Sequence, residues 1–142
     1  MLFLATTISL ILSLLAKLAA DTFLTSRISV LGSFAGFQYA VNKGVAFSIT
    51  FPGYLQNILI TIALLALAWA AWHAKTLLNR IAFGMILGGA LANVADRMRD
   101  GFVTDFLQVG TFPIFNVADS CITIGVVLLC GEAILQWSRK KQ

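Results

Sequence analysis

The sequence predicts an all-α membrane protein, a bundle of four transmembrane helices with a small extended or β segment on the outer membrane face. Composition is the first reason: 59% of the 142 residues are hydrophobic and only 11% are charged, against about 25% charged in ordinary soluble domains. Four long apolar runs are the second, each close to the roughly 20 residues a helix needs to cross a bilayer. The third is a stretch between the first two runs where glycine interrupts β-branched and aromatic residues, a pattern of short strands. Four spans and their connections fill the chain, so residues 1–142 are read as one domain with no separate soluble unit.

The first span covers residues 2–20, LFLATTISLILSLLAKLAA, with Lys17 near its far end. A cleaved secretory signal would place Lys or Arg before the apolar core and none after it; here the order is reversed, so the helix is expected to be retained. Lys17 is expected either to snorkel to the interface or to turn into the bundle. Residues 21–53 form the outer-face segment, where Gly32, Gly36, Gly44, Pro52 and Gly53 break the chain into short extended pieces. The second span, 54–72, closes on Trp69 and Trp72, at the level of an aromatic belt. The third, 81–95, carries Gly84 and Gly88, a spacing that lets another helix approach closely. The fourth, 115–137, is followed by SRKKQ.

Charge sets the orientation. Lys75 and Arg80 lie between spans two and three, and Arg139, Lys140 and Lys141 follow span four, so one side of the membrane carries five cations and no carboxylate. By the positive-inside rule that side is the cytoplasm, and both termini lie there. Segments 21–53 and 96–114 then meet on the outer face, where Arg27, Lys43, Arg97 and Arg99 are accompanied by Asp21, Asp96, Asp100 and Asp105. The net charge of +4 comes from cations scattered between apolar runs, which suits orientation in a bilayer and gives no nucleic-acid surface. Cys121 and Cys130 stand inside one apolar run and read as buried small side chains, neither a disulfide framework nor a metal set. His73 falls in the basic loop as an interfacial residue.

The polar residues near the outer face are ordered on helices. Asn93, Asp96 and Arg97 follow an i, i+3, i+4 spacing where the third span leaves the bilayer, and Asn116, Asp119, Ser120 and Thr123 do the same where the fourth enters. A carboxylate one turn inside a membrane helix is costly, so Asp119 needs a compensating role. A structural ion pair to Arg97 or Lys17 is one reading, and Asp96 beside Arg97 reads as a pair that orients a loop. Chemistry is the other. A zinc site would want His or Cys with the acids, and the only histidine lies on the opposite side. Ser13 and Lys17 share a helix face but bring no oxyanion-hole signature. Two aspartates, Asp105 and Asp119, can share one proton, one ionised and drawing a proton from water, the other protonated and donating to a carbonyl oxygen. The spacing permits this arrangement and does not require it.

These residues also carry a family resemblance. GGALANVADRMRDGFVTDF, residues 88–106, resembles the third-span block of the lipoprotein signal peptidases (signal peptidase II). FNVADSCITIG resembles their fourth-span block, and NKGVAFS their NxGxAFS segment. The blocks occur in the family's order on a chain of the family's length. The resemblance implies that Asp105 and Asp119 are the catalytic dyad of an aspartic endopeptidase. Asn93, Asp96, Arg97 and Asn116 would shape and support the site, Asn42 and Gly44 would face the substrate, and Lys17 would belong to the first-span block. It further implies cleavage of diacylglyceryl-modified bacterial prolipoproteins just before the lipidated cysteine. The enzyme would be a monomer in the cytoplasmic (inner) membrane with its site near the outer leaflet, using no metal or cofactor, with membrane lipids and the prolipoprotein as its partners.

The chain departs from the family pattern at Ser13, where an aspartate usually precedes the lysine by four positions, at Val41 and at Ala92, and the link between the two aspartates is shorter than usual. Asp21, at i+4 from Lys17, is expected to take over the missing partnership. A small transporter with paired acids, or a catalytically inactive lipid-binding relative, are the alternative functions.

Overall fold

A computed structural model of the chain describes residues 1–44 and 54–141. Pro52, Gly53 and the last four residues of NKGVAFS lie outside that range. The elements are α1 (Leu2–Phe23), β1 (Ile28–Leu31), β2 (Ala35–Asn42), α2 (Leu55–Trp72), α3 (Leu77–Asp100), β3 (Val103–Val109) and α4 (Val117–Arg139). All four helices are long and apolar enough to cross a membrane. The four-helix expectation holds, with shifted ends. α1 runs three residues past Ala20, and α3 starts four residues before Ile81 and continues five past Ala95. The extra turn of α3 is polar, and hydropathy alone ends the helix too early. α4 starts two residues after Phe115 because Asn116 caps it.

α3 is the centre of the bundle, packed against α4 and α1 along their lengths and against α2 over a smaller area. Its inner faces are small: Ala82, Gly84, Gly88, Gly89 and Ala92 are buried, while Phe3, Leu15, Leu65 and Trp72 on the neighbouring helices are exposed. Lipid tails are as apolar as leucine, so close backbone packing drives association in a bilayer, and small residues face inward. A Cβ on Gly84 would lie 2.6 Å from the Cβ of Ala5, and one on Gly88 would lie 2.7 Å from the Cβ of Ser9. The Gly84 and Gly88 spacing therefore does admit α1. Gly89 and Gly125 serve the α3–α4 seam in the same way. Cys121 is buried as expected, but Cys130 is exposed, because its face of α4 has no helix against it.

A three-stranded antiparallel sheet, ordered β1-β2-β3, packs through β3 against α1 and α3. β1 and β2 lie in the stretch where strands were expected. β3 falls in the 96–114 segment, where none was, and it pairs Ala40 with Asp105, Val41 with Thr104 and Asn42 with Val103. Gly101, at φ +79°, takes the left-handed conformation that stops α3 and turns the chain into β3. Phe115 then bonds back to Leu107, with Phe115 N–H donating to the Leu107 carbonyl at 3.1 Å. The short link between Asp105 and Asp119 is thereby folded onto the strand that carries one acid and leads directly into the helix that carries the other.

Candidate active site

Asp105 and Asp119 reach one site from different elements. Asp105 stands mid-strand on β3 and is 3% exposed. Asp119 is the third residue of α4 and forms a capping box with Asn116: the Asn116 side chain accepts from Asp119 N at 2.9 Å, while Asp119 Oδ2 accepts from Asn116 N at 3.2 Å. The same exchange satisfies two backbone donors that a helix start leaves open.

Three asparagines finish the arrangement. Asn116 Nδ2 donates to Asp105 Oδ1 at 2.8 Å and to Asn93 Oδ1 at 3.1 Å. Asn93 Nδ2 donates to Asp119 Oδ1 at 2.9 Å, and Asn42 Nδ2 to Asp105 Oδ2 at 3.0 Å. Each of the four carboxylate oxygens thus receives one N–H and keeps a lone-pair direction for water or a shared proton. The amide orientation of Asn116 is forced, since both of its N–H bonds meet acceptors and its oxygen meets a donor. Gly44 N–H donates to Asn42 Oδ1 at 3.0 Å, which orients that side chain toward Asp105.

Arg97 extends from α3 beside both acids. Its guanidinium donates to the carbonyl of Gly44 at 2.6 Å and to that of Asn93 at 3.3 Å. Burial pushes the Asp105 carboxyl up to about 6. The nearby Asp119 charge pushes the same way, while the Asn42 and Asn116 hydrogen bonds and the Arg97 charge oppose the rise. Both acids open on a cavity of about 1100 Å³, walled by apolar residues of α2 and α4 such as Leu59, Leu67 and Ile124, and by Phe112 and Phe115 of the link. It places two carboxyl groups, one of them holding its proton well above the usual range, at the polar end of an apolar chamber.

Lys17 does not snorkel. It is 8% exposed, and its ammonium pairs with Asp21, with Asp96 Oδ1 at 2.9 Å and with Asp100 Oδ2 at 2.8 Å. Asp21 has therefore taken up the partnership, but as one of three acids. Ser13 is not poised as a nucleophile, for its hydroxyl donates to the Ser9 carbonyl at 2.7 Å. The expectation that Asp96 pairs with its neighbour Arg97 is overturned: at i, i+1 the two leave the helix on different faces, and Asp96 turns to Lys17. Asp119 bonds asparagine and backbone donors while Lys17 is taken by three other acids, so the proposed structural pair of Asp119 with Lys17 does not form. The pairing of Asp100 with Lys17 and the part played by Thr104 escaped the sequence reading. An i+3/i+4 search from Asp96 would have found Asp100; nothing local points to Thr104.

The family described as signal peptidase (SPase) II matches residues 5–135 of the chain. A lipoprotein signal peptidase of Moorella thermoacetica is 38% identical over 112 residues, 75% of this chain and 73% of that protein. Another, of Caldicellulosiruptor bescii, is 36% identical over 121 residues, 84% of this chain and 81% of that protein. A solved bacterial membrane enzyme has the same fold with a TM-score of 0.87 at 29% identity, covering 99% of this chain and 91% of that one.

Proposed function

The chain belongs to the signal peptidase II family, and from that premise we propose that it removes signal peptides from diacylglyceryl-modified prolipoproteins, with Asp105 and Asp119 as an aspartic catalytic pair. The observation that carries the reading is the convergence of two carboxyl groups, every oxygen held by an amide or backbone donor, on one apolar cavity. The family does not favour a transporter, and the intact bracing of both acids does not suit a disabled relative.

Asp119, at the N-terminus of α4, accepts a backbone N–H where the helix dipole favours an anion. Asp105, buried on β3, holds the proton of the pair. A water between them gives a proton to Asp119 as its oxygen attacks the carbonyl before the lipidated cysteine, and Asp105 donates to the carbonyl oxygen as that oxygen gains charge. The tetrahedral gem-diol then collapses: its C–N bond breaks, the proton held by Asp119 passes to the leaving amine, and one of the two hydroxyls returns its proton to Asp105 as the new carboxyl group forms. The acyl chains of the substrate occupy the apolar part of the cavity. No step calls for a metal. One chain supplies every residue of the site, so a monomer suffices.

The five cations and absence of carboxylates in the 73–80 loop and the C-terminal tail support a topology with both termini in the cytoplasm and the pair near the outer leaflet. Lateral entry of a lipid-anchored peptide from that leaflet then meets the cavity directly. The test is incubation of the purified chain with a diacylglyceryl-modified prolipoprotein and mass measurement of the products. A released peptide ending at the residue before the lipidated cysteine supports the function; an intact substrate, or a cut elsewhere, contradicts it.

A further inference from the structure

Behind the site, on the side away from the cavity, lies the Lys17 cluster. Its ammonium donates hydrogen bonds to Asp21 and Asp100 and forms an ion pair with Asp96 Oδ1 at 2.9 Å, a contact whose angle does not make a hydrogen bond. Two of those acids use their second oxygen on the same residue of β3. Asp96 Oδ2 accepts from Thr104 N at 2.7 Å, and Asp21 Oδ1 lies 3.3 Å from the Thr104 hydroxyl, which donates to it. Asp21 Oδ1 also accepts from the Tyr39 hydroxyl at 3.1 Å. Thr104 is 1% exposed and directly precedes Asp105, and Tyr39 precedes Ala40, the residue paired with Asp105 across the sheet. None of Lys17, Asp21, Asp96 or Thr104 lines the large cavity.

We propose that Lys17, Asp21 and Asp96 are positioning residues that clamp Thr104 between α1 and α3 and so set where the Asp105 carboxyl stands relative to Asp119. The proposal rests on the catalytic assignment of Asp105. The sheet alone would leave that position soft, because the β2–β3 register is irregular between Phe37 and Ala40, immediately before the Asp105 pair. The clamp replaces that missing support with a bond to the Thr104 backbone from a carboxylate that a buried cation holds in place. Asp21 makes a second tie on the outer side. An acid at position 13, one turn deeper, would lie on the far side of Lys17 from Tyr39.

The charged groups that face Asp105 are Asp119 from α4 and Arg97 from α3. The test uses the full chain in lipid nanodiscs, with Lys17→Met and Asp96→Asn first checked for wild-type helix content and elution. Both are expected to lower kcat for prolipoprotein cleavage by about 10–100-fold with KM within about twofold, and Lys17→Arg to recover most of the loss. The two substitutions change the local charge in opposite senses. A purely electrostatic influence would move the Asp105 titration, followed by carboxyl carbon NMR, in opposite directions and change kcat oppositely, which would overturn the clamp. So would wild-type kcat in both folded variants, or a loss that tracks a smaller folded fraction with an unchanged pH profile. If both fail to fold, Asp21→Asn, at the edge of the cluster, decides by the same readouts. Cleavage retained by Asp105→Asn would remove the catalytic assignment instead, and the Asp105 resonance would still report whether the clamp holds that side chain.

Discussion

Gly89 is where helix packing and the proposed catalytic pair meet. A Cβ there would overlap the carbonyl oxygen of Ala118 and stand 3.1 Å from Ile122 Cγ1 and 3.2 Å from the Ala118 carbonyl carbon. Two of these atoms are α4 backbone and cannot rotate away, so Gly89→Ala must push α4 from α3 by roughly 0.5–1 Å to regain ordinary contact. Asp119 follows Ala118, and Asn93 stands one turn along α3 from Gly89, so the same push stretches the 2.9 Å bond from Asn93 to Asp119 beyond hydrogen-bond range. The expected cost is about 1–3 kcal/mol in stability and, for a misplacement of this size, up to about 100-fold in kcat. Thermal unfolding in detergent and prolipoprotein turnover measure the two. Gly131→Ala is the control, since nothing lies within 4 Å of a Cβ there; it should leave turnover unchanged and stability equal or higher. Wild-type turnover in a folded Gly89→Ala protein, or an equal loss in Gly131→Ala, would refute the reasoning.

Other outcomes follow from the same geometry. Because burial raises the Asp105 carboxyl to about 6, its proton is present below that value and lost as pH rises through it; kcat/KM should therefore fall on the alkaline side with a limb near 6, moving higher in kcat when substrate expels water from the cavity. A limb far below 6 would mean the proton is not held there. Asn42→Leu removes the 3.0 Å donor to Asp105 and should lower turnover by about tenfold or more while moving that limb upward, since a hydrogen bond to the charged form is lost. EDTA should leave turnover unchanged; inhibition reversed by zinc would reinstate a metal mechanism. Reporter fusions at the C-terminus and in the 73–80 loop should read as cytoplasmic, and one near Gly36 as exterior; the reverse would put the pair on the wrong face.

The spans were legible because long apolar runs have few other uses, while the meeting of Asp105 and Asp119 was implied by the family resemblance, since their spacing permitted a pair without requiring one. The last turn of α3 was not legible. Asp96 and Asp100 look like residues outside a bilayer until Lys17, some 80 positions earlier, neutralises them, and that contact has no sequence signature. β3 was missed because its inward and outward faces both carry apolar residues, so VTDFLQV lacks the alternation that marks a strand. The asparagines illustrate the middle case. Asn116 and Asp119 were visible as neighbours on a helix face, and the N-x-x-D spacing at a helix start is a capping-box pattern, yet only the folded chain shows that the cap also supplies a donor to Asp105. The exchange of an acid at position 13 for Asp21 was read correctly from spacing, while its reach to Tyr39 and Thr104 was not.

The most direct measurement is turnover of a diacylglyceryl-modified prolipoprotein by Asp105→Asn and by Asp119→Asn, each shown to be folded, with the released peptide identified by mass. Asparagine keeps the shape of either side chain but can neither take nor share the proton, so both variants should release no peptide at substrate concentrations where the unsubstituted chain cuts to completion. Near wild-type release by either one would contradict a catalytic pair formed by these two aspartates.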